Sequence, residues 1–135
     1  MTKSRQGQRT AGQLEREISQ CINALYRTEL SHQPGKITCQ LFEDKIVVVV
    51  EKSISRPEQL LVEQGNRKVA QEAHAEIREV FRIKVRASIE EILSVKVVDI
   101  FIDSSLESLR SSVVAVFEEP PTVRNPTAIP KFPTS

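Results

Sequence analysis

Tryptophan is absent from this 135-residue chain, and one tyrosine and five phenylalanines leave aromatics at 4%. So few rings cannot build a set of stacking platforms for bases or sugars. An excess of charge of one sign is missing too: 19 Lys+Arg stand against 18 Asp+Glu, a formal net charge of +1. Nucleic-acid binders carry a clear basic excess, so no nucleic acid is expected as a partner. Glycine is confined to Gly7, Gly12, Gly35 and Gly65, with no GxGxxG, Walker-type or GxSxG spacing. Loops that cradle phosphate need glycine for close backbone approach, so a nucleotide site of that kind is excluded. Cys21 and Cys39 form no CxxC pair. Each is in phase with apolar neighbours, and both read as small buried hydrophobes. The longest apolar run, Ile46 to Val50, falls far short of the roughly 18–20 residues that span a bilayer. The opening MTKSRQGQR has no apolar core of a secretory signal. The expectation is a soluble, cytoplasmic protein without a membrane span.

Residues for catalysis are equally sparse. His32 and His74 are the only histidines, with no HExxH frame, and both read as surface or boundary residues rather than zinc ligands. Glu43-Asp44, Glu90-Glu91 and Glu118-Glu119 are adjacent pairs, which places their members on different sides of a helix or strand. No catalytic residue, metal or cofactor is expected, and the chain does not read as an enzyme.

What is present is pattern. Residues 1–9 read as a flexible leader. Thr10 can cap a helix with an apolar stripe of Ala11, Leu14, Ile18, Cys21, Ile22, Leu25 and Leu30, ending before Pro34. Ile37, Cys39 and Leu41 alternate with polar residues as in a half-buried strand. Lys45 to Glu51 is a continuous apolar strand, and Glu43-Asp44 between them predicts a loop slightly longer than a tight turn. Ser55-Arg56-Pro57-Glu58 has the form of a capping box opening a short helix that stops at Gly65. Asn66 then starts a long helix with Val69, Ala70, Ala73, Ile77, Val80, Phe81, Val85, Ile89, Ile92 and Leu93 on one side. Strands over 95–103 and 111–118 follow. The expected fold is α+β, an antiparallel sheet of about four strands with helices packed on it, in the order α-ββ-αα-ββ. Residues 10–119 form the single domain; 120–135, with five of the seven prolines, read as a disordered or extended tail.

Alternation leaves an apolar surplus. In the third strand Val98, Ile100 and Ile102 share one face while Val97 and Phe101 lie on the other with Asp99 and Asp103; in the fourth, Val114 and Val116 oppose Val113, Ala115 and Phe117. A sheet apolar on both sides calls for a second cover, from the first helix wrapped over the far face or from a partner chain; a homo-oligomer, a dimer, is expected, with Val97, Phe101, Val114 and Val116 as interface candidates. One polar pattern also stands out. Arg78, Arg82 and Arg86 recur every four residues on the long helix, a like-charged ridge that reads first as a solvated face neutralised by Glu79 and Glu90, and otherwise could hold an anion, an acidic partner or a membrane's anionic surface.

The segments LEREISQCINALYRTEL, ITCQLFEDKIVVVVEKSISRPEQLLVEQG, VAQEAHAEIREVFRIKVRASIEEILSVKVVDIFID and SSVVAVF together resemble the MpsC-like domain family. The marks are the acidic turn before a valine-rich strand, the hydroxyl-x-Pro-Glu helix start running to Gly65, and the helix junction to KVVDIFID. The resemblance spans roughly residues 12–118. It implies a small bacterial protein associated with a membrane system for ion transport and inorganic-carbon supply, and it carries no catalytic residues over. The expected role is a non-catalytic accessory protein that docks on itself and on a membrane transport complex. The alternative is a regulator that binds a small anion or other small ligand.

Overall fold

The structure, a computed structural model, describes residues 9–131. Helix α1 (Ala11–Leu30) begins with a reciprocal cap. Thr10 Oγ1 accepts from the Gln13 amide at 3.1 Å, and Gln13 Oε1 accepts from the Thr10 amide at 2.8 Å. It ends at Ser31, which adopts the left-handed conformation at φ 49°. Strands β1 (Ile37–Phe42) and β2 (Lys45–Val50) make a hairpin in which Phe42 pairs with Lys45. The loop is therefore a tight two-residue turn rather than the longer one expected. Glu43 tolerates φ 50°, so the left-handed position is filled without glycine.

Helix α2 (Arg56–Glu63) runs into Gly65, at φ 79°, and then into α3 (Arg67–Leu93). Strands β3 (Val97–Ser105) and β4 (Arg110–Phe117) complete a four-stranded sheet in the order β1-β2-β4-β3, every neighbouring pair antiparallel. The architecture is the α+β arrangement α-ββ-αα-ββ.

The helices cover one face of the sheet. Leu14, Ile18, Ile22 and Tyr26 of α1 and Phe81, Val85, Ile89 and Leu93 of α3 meet Leu41, Ile46, Val48, Val50, Val113, Ala115 and Phe117 in one core. Two expected core positions of the long helix face solvent. Val69 and Val80 are about half exposed, each one residue ahead of the true i, i+4 stripe of Ala70, Phe81, Val85, Ile89 and Leu93. One residue is about 100° around a helix, enough to leave the core.

β3 also departs from strict alternation. Its register shifts between Val97 and Asp99, a bulge in which the extra residue resets which face each side chain takes. Val97 therefore faces the helices with Ile100 and is 0% exposed, while Val98 turns outward. The bulge is held by side chains of α3: the Val97 amide donates to Glu90 Oε2 at 3.0 Å, and Arg86 Nη2 donates to the Val97 carbonyl at 2.6 Å.

The segment after β4 is packed, not loose. Val123 and Ile129 join the core, Pro126–Ala128 form a 3-10 turn, and the Pro130 carbonyl accepts from the Glu43 amide at 2.9 Å. Asn125 Oδ1 accepts from the Ala11 amide at 2.8 Å, and the Arg9 carbonyl accepts from Arg124. Burying two branched aliphatic side chains outweighs the cost of ordering a proline-stiffened strand whose unfolded state is already restricted. The disordered tail expected from proline content is thus corrected over 120–131; residues 132–135 and leader residues 1–8 lie outside the described residues. Truncating Ile129 to alanine should lower the unfolding free energy by about 2–4 kcal/mol. Urea denaturation followed by circular dichroism checks this, since a free tail would leave the midpoint unchanged.

Candidate functional site

Two places depart from ordinary core or solvated surface. The first is the sheet face that no helix covers. Reading across the register, Gln40, Val47, Val114 and Phe101 form one row, flanked by Phe42, Lys45, Val116 and Asp99 on one side and Thr38, Val49, Ser112 and Asp103 on the other. Phe101 is 58% exposed and Val47 40%, whereas Val114 and Val116 are half-buried among their strand neighbours. Of the four interface candidates, Phe101, Val114 and Val116 lie on this face. Val97 does not: the bulge turns it into the core, out of a partner's reach. Val47 and Val98 complete the apolar patch.

The arginine ridge is dispersed. Arg78 lies 3.6 Å from Asp103, Arg82 lies 3.4 Å from Glu79, and Arg86 is committed to the Val97 carbonyl. The structure brings each guanidinium to a different acceptor, so the three do not converge on one anion.

The second place is the polar end of the core, where α1, α2 and α3 meet the β3–β4 end of the sheet. Glu58 of α2 is 4% exposed, and its Oε1 lies 3.2 Å from His74 Nδ1. A carboxylate only accepts, so Nδ1 carries the proton of that bond. His74 Nε2 is sealed from solvent with no hydrogen-bond partner. Nearby, three hydroxyls form a chain: Ser111 Oγ lies 2.6 Å from both Ser53 Oγ and Ser104 Oγ. Tyr26 completes the cluster. Burial raises its hydroxyl above the ordinary 10.0; the Ser111 and Ser53 hydroxyls offset part of that, and the Glu58 charge adds to the rise. These groups line a cavity of about 30 Å³ with Ile22, Phe81 and Val113, space for about one water molecule. His74, Arg78 and Ser104 also line a shallow surface groove of about 250 Å³, where Arg67 pairs with Glu107.

This cluster was not expected from the sequence. Glu58 reads as the last residue of a capping box, yet Ser55 makes no side-chain cap, and the carboxylate turns inward to His74 instead. His74 reads as a boundary residue and is one, half-buried with its Nε2 sealed. A signal was available: Glu58 and His74 stand eight residues on either side of Asn66, and an antiparallel helix pair folded at Gly65-Asn66 brings such positions level. Elsewhere, His32 Nε2 meets the Lys52 carbonyl at 2.7 Å. Cys21 and Cys39 are free and half-buried, and burial, helped by Glu15, pushes the Cys39 thiol up to about 12.

Among the described residues no helix is long and apolar enough to cross a membrane. The family model described as the Na+-translocating membrane potential-generating system (MpsC) matches residues 10–119. Neither a curated protein nor a solved structure matches the chain.

Two titrations follow from these environments. The single tyrosine should ionise above pH 10 in the native protein, and nearer 10 in urea, when absorbance is followed at the tyrosinate band. Because the fold favours the neutral phenol, its contribution to stability is present below pH 10 and is lost as pH climbs past it. In a Cys21→Ser variant, Cys39 should react with Ellman's reagent at pH 8 at least ~100-fold more slowly when folded than in denaturant, since the thiolate is the nucleophile.

Proposed function

Because the chain belongs to the MpsC family, we propose that it is a non-catalytic accessory protein of a membrane ion-transport system, acting from the cytoplasm by contact. The observation that supports this reading is the open sheet face, with Phe101 and Val47 in water at its centre. Fully burying side chains of this kind yields about 1.5–3 kcal/mol each, and monomeric proteins seldom leave such rows uncovered. The cover is a second copy of the chain: two sheets pack face to face about 10 Å apart with their valine rows interleaved, in an isologous dimer. The described residues offer little for a competing anion-binding role, because Arg78, Arg82 and Arg86 each serve a separate acceptor.

Light scattering on the full chain at tens of micromolar should give twice the 15.2 kDa chain mass. Phe101→Asp together with Val47→Asp should return it to the monomer mass with little change in secondary structure, because both side chains point away from the core. Pull-down from native membranes should recover ion-transport components with the wild type and not with the double variant. A wild type that stays monomeric and recovers no membrane component would overturn the reading.

A further inference from the structure

Helix α3 runs for 27 residues, and the side of it turned away from the core is not uniformly polar. Val69 is 50% exposed there, Val80 49% and Ile83 71%. Ala73, Glu76 and Ala87 complete the row, Glu76 and Ala87 exposed and Ala73 half-buried. The six residues are spaced alternately by four and three, which confines them to an arc of about 80° around the helix. Such spacing marks the a and d positions of a heptad, the seam along which one helix packs on another. Single exposed aliphatics are ordinary on a protein surface. A heptad row sustained over about five turns is not.

The chemistry of the seam selects its partner, and that partner is the same helix reversed. When two copies of α3 cross antiparallel about the middle of the row, a positions meet d positions. Val69 then packs on Ala87 and Ala73 on Ile83, a larger residue on a small one in each layer, as close packing requires. Glu76 lies against Val80, with its carboxylate directed to the flank. The flank is complementary too: Glu72 comes level with Arg86 and Glu76 with Arg82, and two-fold symmetry forms each pair twice. Arg86 donates to the Val97 carbonyl yet keeps 43% of its side chain exposed, and Arg82 keeps 45%. Glu79 alone meets its own kind, and Arg82 of the same helix, 3.4 Å away, offsets that charge. A parallel pairing would stack Glu76 on Glu76 inside the seam and set Ala73 against Ala73, so like charge and a void oppose it.

We propose that the outer ridge of α3 is a homotypic contact surface that binds α3 of a second copy in the antiparallel sense. It lies across the molecule from the open sheet face, because the helices form a layer on the other side of the sheet. Two isologous contacts on opposite sides of one molecule are not both satisfied within a pair; alternating, they extend into an open chain. The helix contact stands by itself, whereas chain growth rests on the sheet pairing proposed above. With two alanines and a glutamate in a short seam the contact is weak in free solution, and it gains when copies are held side by side.

The first test uses the Phe101→Asp, Val47→Asp chain, whose sheet face cannot pair. Sedimentation equilibrium at about 1 mM, where a weak contact is populated, should show the mean mass rising from 15.2 kDa toward twice that value. Adding Ile83→Asp, a side chain clear of the core, should hold it at the monomer. The second test keeps the sheet face intact and places cysteines in a Cys21→Ser, Cys39→Ser chain. A short bis-maleimide should join copies through Glu79→Cys, beside the two-fold axis, at least ~10-fold faster than through Val69→Cys. Combining Val69→Cys with Ala87→Cys should restore the fast rate. Equal masses with and without Ile83→Asp, or Val69→Cys joining as fast as Glu79→Cys, would overturn the assignment and leave the ridge as scattered surface aliphatics. Neither result depends on whether the sheet faces pair.

Discussion

The packing of α1 and α3 against a single face of the sheet constrains everything else in this molecule. A four-stranded antiparallel sheet with valine on both faces has two surfaces to shelter, and the two helices that carry apolar stripes converge on one of them. That choice creates a closed core from Leu14 to Phe117 and, on the reverse, a row through Val47, Val114 and Phe101 that remains in contact with solvent. It also determines where α2 goes. Too short to form a layer of its own, α2 caps the end of the helix pair, and in doing so carries Glu58 to the end of the core where the hydroxyls of Tyr26, Ser53, Ser104 and Ser111 are gathered.

Much of this was legible because local signals agreed with the global fold. The reciprocal cap at Thr10 and Gln13, the arrest at Gly65, and the valine run of β2 each depend on one or two residues whose chemistry has a single good use. What could not be read is what tertiary contacts impose. A period of two assigns Val97 outward, and it faces inward because Arg86 and Glu90, reaching from a different element, hold its peptide in a bulge. Proline content marks 120–131 as an appendage, whereas Val123 and Ile129 find a core to enter. Ser55 and Glu58 suit a cap in sequence, but the carboxylate turns inward to the part-buried His74. In each case a long-range contact overrode a sound local preference.

The polar end of the core shows what such overrides cost. A chain of three serine hydroxyls, a tyrosine and an acid–imidazole pair occupies a volume that aliphatic side chains could fill. Buried polar networks of this kind are tolerated when their members satisfy one another, and here most do. The remaining orphan, His74 Nε2, belongs to a residue that lines both this cavity and an outside groove.

The latch between Ala11 and Asn125 has a bearing on how the molecule comes to exist. Helix α1 has one of its opening amides answered by a residue synthesised more than a hundred positions later, and its neighbour Leu14 shares a core with Val123 and Ile129. During synthesis α1 must therefore wait, partly uncapped and greasy, until the proline-rich stretch after β4 arrives to seal it. Nascent chains stalled just before that stretch would be the form most in need of chaperones, even though every helix and strand of the family domain had already been made.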